Sequence, residues 1–401
     1  MGGGGEIAGE DGSVADLGEW GLIAALKARM PAGPLTSVGI GDDSAVITTP
    51  SGSVVAAVDL LIEDRHFRRQ WSSAYDIGVK AAARSLADIA AMGAVNTALL
   101  VALATPGTLP ARWAADLADG LASEATRAGA GVVGGDTARA DVITLSVTAL
   151  GDLEGRPPVL RSGAKPGDVI AVAGTLGRAA AGLALLTAGV IPAESSPPNT
   201  ATALDGNEPD ALTALVAAQL RPAPRYEAGP EAARLGATAM IDVSDGLLAD
   251  LGHLAAASGV QVNVKSASLA PGPGLREAAA RVLSSKTSSR TNSPDSPPRK
   301  PNAPGGENPG AANPDRSPPG ATSGASFASD SPPSATTEPA VASLPVQWVL
   351  TGGEDHALVA AFPPDVILPS HWRVIAEVAP GSGVTVDGLP HAGPAGWQHF
   401  H

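Results

Sequence analysis

Aspartates recur along this chain where an apolar segment ends or inside a helical pattern. They are Asp42 and Asp43 in Gly39-Ile-Gly-Asp-Asp43, Asp59 after Val58, Asp88 inside 85–90, Asp136 after Gly134-Gly135, and Asp242 and Asp245. Hard cations such as Mg²⁺ take oxygen ligands in octahedral geometry, and polyphosphate substrates bring negative charge that such cations bridge. Any one of these aspartates read alone is a turn or capping residue, Asp245 before Gly246 above all. Asp88 is different, because a carboxylate on an otherwise apolar helix face is costly unless partnered. Together the set reads as a shared metal cluster. The chain has no cysteine, which removes thiolate ligands, thiol nucleophiles and disulfides. It also lacks both a Gly-x-x-x-x-Gly-Lys-Ser/Thr loop and a Gly-x-Gly-x-x-Gly turn between strand and helix, so neither a P-loop nor a dinucleotide fold is indicated.

The elements that must position these residues follow from periodicity. A helix is predicted over 20–30, a strand over 53–61 and a long helix over 74–92, where Ile77, Ala81, Leu86, Ile89 and Ala90 recur at helical spacing. A strand over 96–104, a helix over 110–128, a strand over 130–133 running into Gly134-Gly135-Asp136, and a strand over 142–150 complete a first unit. A second begins near Leu160, with strand 169–173, helix 179–188, strand 237–243, helix 247–257, strand 260–264 and a closing segment 351–363. This alternation predicts an α/β or α+β class. Residues 1–18 read as a flexible tail, 19–155 as an N-terminal domain and 156–401 as a C-terminal domain. Insertions at about 193–207 and 284–340 are too rich in Ser, Pro, Gly, Asn and Thr to bury a core and are expected to be disordered.

A chain of 401 residues accommodates two domains with cores of their own. Its 26 basic and 40 acidic side chains leave a net charge of -14, which argues against a general nucleic-acid binder. The N-terminus lacks the basic start and apolar core of a signal peptide, and no apolar run reaches the roughly 20 residues a bilayer span needs. A cytoplasmic protein without a membrane segment is expected.

Several segments then carry a family resemblance. Gly39-Ile-Gly-Asp-Asp-Ser-Ala-Val46, Val58-Asp59 continuing to Asp64-Arg-His-Phe67, and Lys80 through Ser85-Leu-Ala-Asp88 to Gly93 resemble thiamine-monophosphate kinases in order and spacing. So do Gly134-Gly-Asp-Thr137, 160–168, Ile241-Asp-Val-Ser-Asp-Gly-Leu247, Gly352-Gly-Glu-Asp355 and Gly396-Trp-Gln-His-Phe400. The resemblance implies the two-domain fold of the aminoimidazole-ribonucleotide synthetase superfamily, with an N-terminal mixed sheet carrying ATP/Mg binding and dimerisation, and a C-terminal α/β domain. It implies transfer of the ATP γ-phosphoryl group to thiamine monophosphate, several Mg²⁺ per site, and a homodimer; it leaves a K⁺ requirement open. Asp43, Asp59, Asp88, Asp136, Asp242 and Asp245 match metal ligands. Gly135, Asp136, Arg161 and Ser244 match ATP contacts, while His66, Glu354 and Trp397 match contacts to the thiamine substrate. No dedicated catalytic base is implied, since a phosphate monoester is already largely ionised near neutral pH, its second pKa being about 6.

Departures accompany the match: Ala57-Val58 stands where Ser-Thr is common, Ser85 where Asn is, Ala138 where Thr is and His356 where Tyr is. Three other readings compete. His66 and Trp397 are read as satisfied structural residues, Gly135 as serving only the turn before Asp136, and the whole chain as another ATP-using member of the superfamily or a non-catalytic binder. The His66-Phe67 and Trp397 to Phe400 segments favour the thiamine branch, and the six matched aspartates favour an enzyme.

Overall fold

A computed structural model describes residues 12–30, 33–40, 45–191, 210–272, 274–291 and 337–397. Asp43, the insertion at 193–207 and most of the one at 284–340 lie outside them. The N-terminal elements are α1 (Val14–Arg29), β1 (Thr36–Val38), β2 (Val46–Ile47), β3 (Val55–Ile62), α2 (Ala74–Ala91), β4 (Val95–Thr105), α3 (Ala111–Arg127), β5 (Gly131–Arg139) and β6 (Thr144–Asp152). The C-terminal elements are β7 (Val169–Ala173), α4 (Arg178–Thr187), α5 (Ala211–Leu220), α6 (Ala228–Arg234), β8 (Ala239–Asp242), α7 (Leu247–Ser258), β9 (Gln261–Val264), α8 (Leu275–Thr291), α9 (Thr337–Thr351), β10 (Leu358–Phe362), β11 (Trp372–Ala379), β12 (Gly383–Val386) and β13 (Leu389–Pro390).

Two main sheets result. The first has the order β3-β6-β4-β5, and the second β13-β12-β9-β11-β7-β10-β8, while β1 and β2 form a small ribbon. Both main sheets are mixed, β4–β5 and β9–β12 being their parallel pairs. Mixed sheets covered by helices place the chain in the α/β (α+β) class that the alternation of elements predicts.

Helix α2 decides the geometry of the site. Ser73 and Asp76 form a reciprocal capping box at its start. Ile77, Leu86 and Ile89 then share one core with Leu145 and Val147 of β6 and with Met240, Leu358 and Ala360 of β8 and β10. The helix is therefore held between the two sheets, and any charge it carries sits in a low-dielectric layer. A second core, with Leu185, Leu215, Leu251 and Val262, lies on the other face of the larger sheet.

Several boundaries differ from the sequence-based expectation. Helix α1 begins at Val14, inside the segment read as tail, because Ser13 and Asp16 cap it reciprocally. Helices α8 and α9 extend into both ends of the segment read as a disordered insertion at 284–340. Strand β5 runs on to Arg139, so Asp136 lies within a strand and not at its end.

Candidate active site

Three elements converge on one acidic centre. Helix α2 supplies Asp88, β3 supplies Asp59 and the end of β8 supplies Asp242. Burial pushes the Asp88 carboxyl up to about 8, the carboxylates of Asp242 and Asp59 push in the same direction, and Arg84 and Arg161 pull against them. The Ser85 hydroxyl donates to Asp59 at 2.9 Å, and an Arg84 nitrogen stands 3.7 Å from the same carboxylate. A half-buried carboxyl facing two further carboxylates forms a donor set that suits a hard cation. Among the described residues no three acidic or histidine side chains close around a single point.

One helical face carries more than the sequence reading used. Lys80, Arg84 and Asp88 follow one another at i, i+4 and i+8, so they line one stripe of α2. Lys80, only 4% exposed, pairs with Glu354 at 2.9 Å, and Arg84 reaches Glu354 at 3.5 Å. The Gln219 side-chain amide donates to the other Glu354 oxygen at 2.7 Å. Burial opposes ionisation of Glu354, but Lys80, Gln219 and Arg84 together hold it down at about 2. The spacing of two cations and an acid on an apolar helix was the available signal.

Glu354 and His356 both have positive φ, at 68° and 49°. Such backbone costs about 1 to 3 kcal/mol per residue and persists only where its surroundings enforce it. Here the Glu354 amide donates to the Ser244 carbonyl at 2.8 Å and the His356 amide to the Val243 carbonyl at 2.9 Å. Gly353 packs so closely there that a Cβ would stand 2.5 Å from the Ser244 oxygen. His356, noted in the sequence only as standing where Tyr is common, lies buried with Nδ1 3.0 Å from Asp242 Oδ2. The contact links residues 114 apart, so no local pattern could announce it.

Asp245 does not cap α7 with its side chain. Asp250 reaches back instead, accepting from the amides of Asp245 and Gly246 at 3.1 Å each, and burial with the nearby Asp242 and Asp245 charges raises its carboxyl to about 7. The Asp245 carbonyl accepts from the Trp397 amide at 2.9 Å. This backbone bond anchors the C-terminal segment while leaving Trp397 66% exposed beside the turn.

The remaining expected residues are more dispersed. Asp136 is exposed on β5, with β4 and β6 between it and Asp59 on β3. Through the strand register it falls in line with Ala102 and Leu60, whereas Asp59 alternates onto the side that faces α2. Among the described residues, then, Asp59, Asp88 and Asp242 come together while Asp136 stands apart from them. Gly135 serves close strand approach, because a Cβ there would stand 1.9 Å from the Val101 oxygen. Arg161 is exposed, and its charge is felt at Asp88. His66 Nδ1 accepts from the Ile62 amide at 3.0 Å, which fixes the ring over the end of β3.

Residues 41–153 match the family described as AIR synthase related protein, N-terminal domain. A thiamine-monophosphate kinase of Mycobacterium tuberculosis is 39% identical over 98% of this chain and 95% of its own length. One of Corynebacterium glutamicum is 32% identical over 97% and 95%. Among solved structures, the thiamine-monophosphate kinase of Stenotrophomonas maltophilia is 29% identical, with a TM-score of 0.64 over 92% of this chain and 95% of that one. AaThiL complexed with AMPPCP and TMP is 26% identical, with a TM-score of 0.63 over 96% and 98%.

Proposed function

The chain belongs to the thiamine-monophosphate kinase family, and from that premise we propose that it transfers the ATP γ-phosphoryl group in line to the phosphate of thiamine monophosphate, giving thiamine diphosphate and ADP. The observation that carries this reading is the convergence of Asp59, Asp88 and Asp242, where burial and the two neighbouring carboxylates raise the Asp88 carboxyl. Several Mg²⁺ held by Asp43, Asp59, Asp88, Asp136, Asp242 and Asp245 would neutralise the like-charged phosphates, which is the main barrier to this transfer.

The chain's own side chains hold the reactants. Arg161 grips phosphate through its planar fork, and Gly135, Asp136 and Ser244 hold the nucleotide. Trp397, anchored by its backbone yet exposed, offers a ring face to a cationic thiazolium. His66 lines the same substrate, and Glu354, already saturated by Lys80 and Gln219, shapes the pocket with its backbone fixed. No side chain need act as base, because the acceptor phosphate is ionised.

The division into 19–155 and 156–401 belongs to this reading and is supported by the two separate sheets. A homodimer is supported by Val58 and Leu60, which stand 66% and 48% exposed on the first sheet. No helix among the described residues is long and apolar enough to cross a membrane, and we assign the protein to the cytoplasm. Incubation with ATP, Mg²⁺ and thiamine monophosphate is expected to yield thiamine diphosphate, with Asp136→Asn losing turnover while keeping its melting temperature. Nucleotide binding without product would favour the non-catalytic alternative.

A further inference from the structure

A cavity of about 340 Å³ opens where the first turn of α4 meets the end of α5, away from the acidic centre's own side chains. Three guanidinium groups line it, from Arg178, Arg221 and Arg225, with alanines and prolines between them. In a chain of net charge -14 such a concentration of cations needs a counter-charge. The acids nearby supply only part of it. Arg221 pairs with Asp76 at the start of α2. Asp355, the one acid among the lining residues, spends its oxygens on the amides of Gly177 and Ala179 at 2.6 and 3.0 Å. Arg225 has Glu227 only at 3.9 Å, on exposed side chains, where water screens the pair. Arg178 donates one terminal nitrogen to the Ala214 carbonyl at 3.3 Å, but its buried Nε has no hydrogen-bond partner. The other terminal nitrogen of this lining guanidinium is left to donate a charge-assisted hydrogen bond to an incoming oxyanion.

We infer that this cavity is a second ligand site, taking a small molecule with one oxyanion head, phosphate or carboxylate, on a compact apolar body. The head sits between Arg178 and Arg225, and the apolar body lies on Ala217, Ala218 and Pro222. The volume is at the lower end of small-molecule sites, which run from roughly 300 to 1,000 Å³. The site is distinct from the phosphoryl-transfer centre: Glu354 turns to α2, whereas its neighbour Asp355 turns to α4. It requires no metal, so it stands or falls independently of the proposed reaction.

The test is calorimetric titration of the full-length chain in buffer stripped of divalent cations, with phenyl phosphate and benzoate as probes. One probe is expected to bind at one site per chain; tighter phenyl phosphate marks a phosphate-ester site, and tighter benzoate a carboxylate site. Arg178→Gln and Arg225→Gln should each weaken binding roughly tenfold or more. Arg225 is half exposed and its ion pair with Glu227 is long and exposed, so its variant reads binding without a folding defect. Arg161→Gln, at the acidic centre, should leave the titration unchanged. No binding by either probe, equal binding in both cavity variants, or loss in Arg161→Gln instead would overturn the inference.

Discussion

Two ends of one stripe on α2 treat buried charge in opposite ways. At Lys80 a cation meets Glu354, and the match holds that carboxyl at about 2; eight residues on, Asp88 meets Asp242 and Asp59, and its carboxyl rises to about 8. Both regions lie in the same layer between the two sheets, so burial alone does not separate them. What differs is the sign of the neighbours. The Lys80 end is satisfied by the protein itself and holds the N-terminal helix to the C-terminal Glu354 segment. The Asp88 end is met only in part, by Ser85, Arg84, Arg161 and His356, and Arg84 stands between the two with one edge toward each. Buried charge that a fold leaves uncompensated marks where it expects a ligand, whereas compensated charge marks where it fastens itself.

Altering each end should separate these roles. The largest effect is expected at Asp88: Asp88→Asn should lower turnover about 10²- to 10³-fold, as losing one charge-stabilising group does, with no fall in the metal-free melting temperature. A parallel loss of stability would mean that Asp88 serves the fold. At the other end, Lys80→Met strands Glu354 and should cost about 3 kcal/mol in denaturant unfolding; a change under about 1 kcal/mol would show that Arg84 and Gln219 suffice for Glu354.

The acid limb of stability provides a third, smaller handle. The Glu354 carboxyl is depressed from 4.5 to about 2, so its stabilising share is complete above pH 4.5 and is lost as pH falls toward 2. The side chain is a quarter exposed, so water trims that share to about 2 kcal/mol. Stability followed from pH 5 to 2 should fall less steeply in Glu354→Gln than in the native chain; identical slopes would place the acid sensitivity elsewhere. Smallest of all, Trp397→Ala should move stability by no more than about 0.5 kcal/mol, as for an exposed side chain, while raising KM for thiamine monophosphate. An unchanged KM would remove the indole from the substrate site.

The same contrast explains what the sequence could disclose. Asp88 was legible because a carboxylate amid Leu86, Ala87, Ile89 and Ala90 breaks a helical apolar pattern that is visible locally. The strands at 55–62, 95–105 and 169–173 were legible locally too, as mainly apolar runs. The partners were not. Glu354 meets Lys80 across 274 positions and His356 meets Asp242 across 114, contacts set by how β8 and β10 pair and not by spacing. Asp136 misled for a related reason: Gly134-Gly135 reads as a turn, but Gly135 lets β5 press onto Val101 and continue as a strand. Strands β11 to β13 went unread because Arg373 and Glu377 interrupt the apolar pattern and the last two strands span only 383–386 and 389–390.

The central proposal is that Asp59, Asp88 and Asp242, only partly compensated by Ser85, Arg84 and His356, keep negative charge for a divalent cation. Thermal unfolding with ATP present, with and without Mg²⁺, tests it most directly in the native chain and in Asp88→Asn. Mg²⁺ at about 100 times its dissociation constant should stabilise the native chain by about 2.7 kcal/mol and leave the variant almost unmoved. An equal rise in both would contradict it.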